Sequence, residues 1–311
     1  MNLFIIGNGF DLAHGMPTKY WNFREFLKIH HPFFLDDFEK KYYLNFNDEN
    51  ALWANLEFNL ANIQDDVLIE EMYQDTDLGL DSGNTGIQDT LIYHFESQFE
   101  YIENLTIYLE EWIKEANETL CDITRGTSLI NRESNDIFIN FNYTTVLEEI
   151  YKINDSKILH LHGTVNEGDL VLGHSNYDKI AYFNGKYVEA DNRFDEQFSP
   201  IYLTIRSYLS STYKNVQRYM FSLNKFNYTS VDNIYIIGHS LSEVDLPYFM
   251  EIKQKVNEDV SWIISYRDEQ SLTLLKDSLI KIGIKDKQIK TIHSSEFFDL
   301  TNADQTERIG N

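Results

Sequence analysis

Short apolar runs that stop abruptly at small or amide-bearing residues recur along the chain, and they restrict its fold more than any other feature. Leu3 to Ile6 ends at Gly7-Asn8-Gly9, Ile137 to Asn140 leads into Phe141-Asn142-Tyr143-Thr144, Ile158 to Leu161 ends at His162-Gly163, and Ile234 to Ile237 ends at Gly238-His239-Ser240. Val260 to Ser265 is a further run, and Ile289 to His293 a weaker one. Continuous apolar character without alternation suits strands buried on both faces. Helical patterns lie between most of them, at Thr145 to Lys152, Pro200 to Ser222, Leu246 to Val256 and Glu269 to Ile282. This alternation predicts right-handed crossovers and a doubly wound, Rossmann-like parallel α/β sheet.

The rhythm breaks between residues 21 and 126. That stretch offers no convincing strand but several helical segments, at Trp53 to Ile63, Asp66 to Tyr73 and Gln88 to Leu120. It is expected to be a helical insertion into an α/β domain formed by residues 1–20 and 127–311. Within it, Asp75 to Gly86 combines acidic residues with three glycines and is expected to be a loop. A calcium loop at Asp75, Asp77 and Asp81 is the competing reading, but the ligand ladder and terminal Glu of an EF-hand are missing.

Composition excludes several classes. With 42% apolar residues in 311, the chain can bury a sizeable core. The 26 basic against 50 acidic residues give a net charge of −24, which repels phosphate backbones and anionic lipid surfaces and argues against general nucleic-acid or membrane binding. Cys121 is the single cysteine, so neither an internal disulfide nor a four-thiolate zinc site can form, and a reducing cytoplasm is the expected location. No metal is expected, and no run is long and apolar enough to span a bilayer.

Ligands of open parallel sheets bind beyond the carboxyl ends of the strands, so the residues that follow each run carry the functional interest. Gly7, Asn8, Gly9 and Asp11 form a turn at which backbone N–H groups can approach a phosphate; a plain strand-to-helix turn is the alternative. Asn142 can donate to and accept from ribose hydroxyls, or merely cap the next helix. His160 and His162, two apart, project to one face if both are extended; His162 suits general-base work at neutral pH, or is a hydrogen-bonded core histidine. Gly238-His239-Ser240-Leu241-Ser242 evokes the nucleophile elbow of esterases, but Ser242 replaces its final glycine, and a second turn beneath a dinucleotide is the more economical reading.

Taken in order, Gly7 and Gly9, Gly15-Met16-Pro17, Asn142, His162-Gly163 and Gly238-His239-Ser240-Leu241 resemble the set that opens and closes the sirtuin-type NAD fold. The wider pattern resembles the bacteriophage abortive-infection AbiH family: Phe4 to Asp11 reads FIIGNGFD, and the likeness continues through Phe141 to Thr144, His160 to Gly163, and Gly238 to Ser240 with Asp245. The resemblance implies a phage-defence protein with a sirtuin-like NAD-binding domain that hydrolyses NAD as its substrate. It further implies that Asn142 holds the nicotinamide ribose and His162 is the general base. Gly7, Asn8, Gly9, Asp11 and Pro17 would line the first turn, and Gly238, His239, Ser240 and Asp245 the turn under the adenosine side. Two departures stand out: Thr144 occupies the position where sirtuins carry an aspartate, and zinc-ribbon cysteines are absent, which argues against a protein deacetylase. A module that senses NAD or ADP-ribose without cleaving it is the alternative. A phage-derived trigger, a partner protein and a homo-oligomer are compatible with either.

Overall fold

The computed structural model describes residues 1–42, 49–80, 102, 104–168 and 170–300. Their backbone falls into two compact units, one formed by residues 1–19, 110–171 and 215–311 and the other by residues 20–109 and 172–214.

The first unit is built on six parallel strands, β1 (Asn2–Ile6), β2 (Ile137–Asn140), β3 (Ile158–His160), β4 (Asn233–Ile237), β5 (Ser261–Tyr266) and β6 (Ile289–His293), in the spatial order β3-β2-β1-β4-β5-β6. Every apolar run of the sequence is therefore a strand. Successive side chains point to opposite faces, and the register holds these faces together: Leu3 lies beside Ile137 and Ile234, Phe4 beside Phe138 and Tyr235. Leu3, Ile5, Ile139, Ile236 and Ile264 pack with Phe249, Ile252, Leu275 and Leu279 on one side. Phe4, Ile6 and Phe138 pack with Phe10, Val146, Leu147 and Phe297 on the other. Helices thus cover both faces, as a Rossmann-like sheet requires. The helix Glu269–Lys281 begins with a capping box, in which the Asp268 carboxylate accepts the Ser271 N–H at 2.8 Å. The order reverses direction between β1 and β4, which makes the carboxyl ends of these two strands the switch point of the sheet.

The second unit is helical. In the helix Tyr20–His30, Phe23, Phe26 and Leu27 share the buried face at helical spacing, and Pro32 at the start of Pro32–Lys40 supplies a preset φ where no N–H is needed. Glu39 is buried but fully engaged, accepting from Arg24 Nε at 2.7 Å and from the Trp53 indole at 2.7 Å. The unit also draws in the helices Tyr177–Asn192 and Phe198–Ser211, so its helices come from two stretches of sequence.

Three expectations are corrected. The segment 200–222 is not one helix: it breaks at Thr212, whose carbonyl accepts the His174 N–H at 2.9 Å, while the Lys214 N–H is donated to His174 O at 2.8 Å, so a β-bridge takes the backbone groups a helix needs. The segment 53–63 breaks at Asn55 between Glu49–Ala54 and Leu56–Asn59. The expected loop from Asp75 is helical as far as Leu80, at the end of Asp65–Leu80; residues 81–86, with Asp81 of the calcium reading, lie outside the described residues, as do residues 88–101 of the third helical segment.

Candidate functional site

At the switch point the loops after β1 and β4 cross backbone against backbone. The Gly7 N–H is donated to Ile237 O at 2.9 Å and the Gly9 N–H to Gly238 O at 2.8 Å. A methyl group on Gly9 would lie 2.7 Å from Gly238 Cα, and one on Gly7 would lie 2.6 Å from His239 Cα. Both glycines are thus accounted for by the crossing, and their own N–H groups, expected to face a phosphate, are already donated. Gly7 also matters for reach: because it has no side chain, the β4 loop passes over the end of β1 toward β2 and β3. Asn8 starts the short helix α1 (Asn8–Ala13), and its amide donates to Thr18 O at 2.6 Å, holding the loop that contains Gly15 and the half-buried Pro17.

Asp11, on α1, is fully buried. Its carboxylate accepts from Asn142 Nδ2 at 2.8 Å and from the Thr144 hydroxyl at 2.5 Å. Burial pushes its pKa from 3.8 up to about 7, against the lowering effect of these two bonds; nearby Glu148 adds to the rise and His160 opposes it. The other Asn142 amide hydrogen is donated to Gly7 O at 3.1 Å. With both hydrogens committed, Asn142 presents only its carbonyl oxygen to a ligand, an acceptor suited to hydroxyl groups or developing positive charge and unsuited to phosphate. The cap reading of Asn142 does not hold: Thr145 occupies the N-cap of Val146–Glu149.

Beside this cluster, His160 ends β3 with Nε2 2.5 Å from Glu148 Oε1 and Nδ1 3.3 Å from Asn142 O. Glu148 Oε2 is buried without a hydrogen-bond partner among the described residues. Sequence reasoning missed Glu148, which no spacing rule connects to a strand end.

His162 goes elsewhere. The strand stops at His160 and Gly163 takes φ +80°, so the two histidines do not share a face. The His162 imidazole is 3% exposed, with ring contacts to Phe141, Tyr143 and Tyr248. Its Nε2 lies 3.5 Å from Asp245 Oδ1, and the other oxygen of that carboxylate lies 3.5 Å from His239 Nε2. Asn142 and His162 therefore belong to two neighbouring clusters, one centred on Asp11 and the other on Asp245. Ser240 is exposed, and among the described residues no hydrogen bond joins its hydroxyl to an imidazole, which gives the esterase reading no support. Among the described residues no group of three or more His, Cys, Asp or Glu side chains is arranged to hold a metal ion, and no helix is long and apolar enough to cross a membrane.

The sequence model of the bacteriophage abortive infection AbiH family matches residues 3–266, a span that includes β1 to β5 and both clusters. No curated protein and no solved structure matches the chain.

Proposed function

Since the chain belongs to the bacteriophage abortive infection AbiH family, which implies a role in phage defence, we propose that it binds NAD at the carboxyl edge of β1 to β4 and hydrolyses the nicotinamide–ribose bond, depleting cytoplasmic NAD on infection. The observation that carries this reading is the buried His162 imidazole, 3.5 Å from the Asp245 carboxylate at the switch-point rim of a Rossmann-ordered sheet. Nicotinamide in NAD is a cationic leaving group, so its departure needs no acid; the site must stabilise an oxocarbenium-like transition state and activate water. In this reading His162 takes a proton from water, the water oxygen bonds to the anomeric carbon, and the glycosidic electron pair leaves with nicotinamide. The Asn142 carbonyl faces the nicotinamide ribose. Gly7, Asn8, Gly9, Asp11 and Pro17 shape the first turn, with the N–H groups of Gly7 and Gly9 spent on the β4 loop, and Gly238, His239 and Ser240 shape the second.

Purified protein, alone or with phage lysate, is expected to release nicotinamide from NAD. His162→Ala and Asn142→Ala should each lower that rate by about 100-fold or more and abolish protection from phage. Intact NAD under all these conditions refutes hydrolysis. The near-complete enclosure of His162 favours a second reading, a non-catalytic sensor of NAD or ADP-ribose that signals to a partner protein. Calorimetric binding of either nucleotide without nicotinamide release would select it.

A further inference from the structure

Asn142 is held from several sides. Its backbone N–H is donated to the Asn140 side-chain oxygen at 3.0 Å, and its two amide hydrogens go to Gly7 O at 3.1 Å and to Asp11 Oδ1 at 2.8 Å. Its backbone carbonyl accepts from His160 Nδ1 at 3.3 Å. Gly7 O can only accept, so the amide cannot be flipped without losing that bond, and the side-chain oxygen is the group turned toward a ligand.

These supports come from three separate stretches of the chain. Asn140 ends β2. Asp11 lies on α1 and is 1% exposed, so it acts on a ligand only through Asn142. The third support is a relay. The Asn142 backbone carbonyl can only accept, so the His160 ring carries a proton on Nδ1, and a second proton lies between Nε2 and Glu148 Oε1, which are 2.5 Å apart. Both ring nitrogens are thereby engaged, which makes His160 a strut rather than a base. Glu148 sits on the helix Val146–Glu149, four residues beyond Thr144, whose hydroxyl donates to Asp11 Oδ2 at 2.5 Å. The second oxygen of its carboxyl, Oε2, is buried with no hydrogen-bond partner among the described residues. A buried oxygen without a donor weakens a fold, so stability does not account for this carboxyl; its bond to His160 does.

We propose that Glu148 is a positioning residue for Asn142 and acts through His160: the carboxyl fixes the imidazole, and the imidazole fixes the Asn142 backbone carbonyl. Asp11 fixes the amide of the same residue, and the side-chain oxygen is thereby held toward the ribose. The proposal rests on the reading of Asn142 as the group that faces the nicotinamide ribose. It moves Asp11 from contact with the nucleotide to support of the residue that makes that contact. An acceptor aimed at developing positive charge stabilises the transition state fully only when it is fixed beforehand, because a mobile dipole must be reordered as the charge appears.

The test has a kinetic and a spectroscopic arm. For nicotinamide release from NAD, Glu148→Ala should lower kcat/KM by about 10-fold. Glu148→Gln should restore most of it, because a carboxamide offers Nε2 either a donor or an acceptor. In the Asn142→Ala background Glu148→Ala should add less than about twofold, the signature of two residues that act as one unit. The second arm uses protein labelled with nitrogen-15 at asparagine, with the Asn142 side-chain signals assigned by their loss in Asn142→Ala. Glu148→Ala should move those signals and Glu148→Gln should keep them near their parent positions, while asparagines remote from this loop report an intact fold. Asn142 signals that stay in place in Glu148→Ala overturn the proposal. So does a Glu148→Gln protein as slow as Glu148→Ala, which would show that the charge itself is at work, and so does a full tenfold loss in the Asn142→Ala background. If wild-type protein releases no nicotinamide, the hydrolase reading fails by itself, and the asparagine signals still decide whether Glu148 positions Asn142.

Discussion

Asp11 is a carboxyl group with both oxygens hydrogen-bonded that is nevertheless about half protonated at neutral pH, because burial outweighs its two donors. Its folded pKa, about 7, is above its ordinary 3.8, so the folded state holds a proton that the unfolded chain releases. The stability contributed by that proton is fully present below pH 4 and is lost as pH rises through 7, by up to about 4 kcal/mol. Asp11→Asn imitates the protonated form; it should flatten this slope and be more stable than the parent at pH 8, as read by denaturant titration across the range. His174 behaves in the opposite sense. Its Nε2 donates to Leu209 O at 2.9 Å while its Nδ1 accepts the Asn176 N–H at 3.1 Å, an arrangement open only to the neutral ring, and burial lowers its pKa from 6.5 to about 4. The stability this gives is present above pH 6.5 and lost as pH falls through 4, by up to about 3 kcal/mol. In His174→Gln the acid-induced loss over that window should be smaller, measurable by the same titration.

At the scale of elements, the glycines of the switch point separate two effects that a sequence cannot distinguish. Gly15 takes φ +81° with open space around its Cα, so Gly15→Ala meets only backbone strain and should lower stability by about 1 kcal/mol. Gly9→Ala places a methyl 2.7 Å from the Gly238 backbone, so the two loops must separate; the expected loss is about 3 kcal/mol or more. Thermal denaturation of the two variants side by side checks the contrast. All six strands are legible: those buried on both faces leave apolar runs such as Ile5-Ile6 and Ile236-Ile237, and the edge strand β6, with Lys290 and Thr291 exposed, leaves only a weaker one. Helix limits were less so. The helix Tyr177–Asn192 escaped notice because few of its residues are buried, which leaves a weak apolar stripe, and the break at Thr212 depends on a bridge to His174 that lies far away in sequence. The same holds for the site. His162 and Asn142 stand out as polar residues just past apolar runs, whereas the facing of His162 and Asp245 arises only from the strand order and from the missing side chain at Gly7.

For the whole molecule, the excess of acidic over basic residues is the feature with a direct physical consequence. A net charge of −24 imposes self-repulsion that salt should relieve. Raising ionic strength from low to physiological is expected to lift Tm by a few degrees, on the order of 1 kcal/mol in stability, in a scan at constant pH.

The innermost strand is also the first one made. β1 has β2 and β4 as its neighbours, so residues 2–6 leave the ribosome long before residues 137–140, and longer still before residues 233–237 that complete their pairing. A nascent chain must therefore carry a largely apolar strand without β2 until residues 137–140 are made, and with one edge open until β4, a state open to association with other chains. Assembly of the central layer is consequently a late, long-range event, slow by the standards of helical proteins, and a translation product cut short before β4 leaves one edge of β1 without its partner strand.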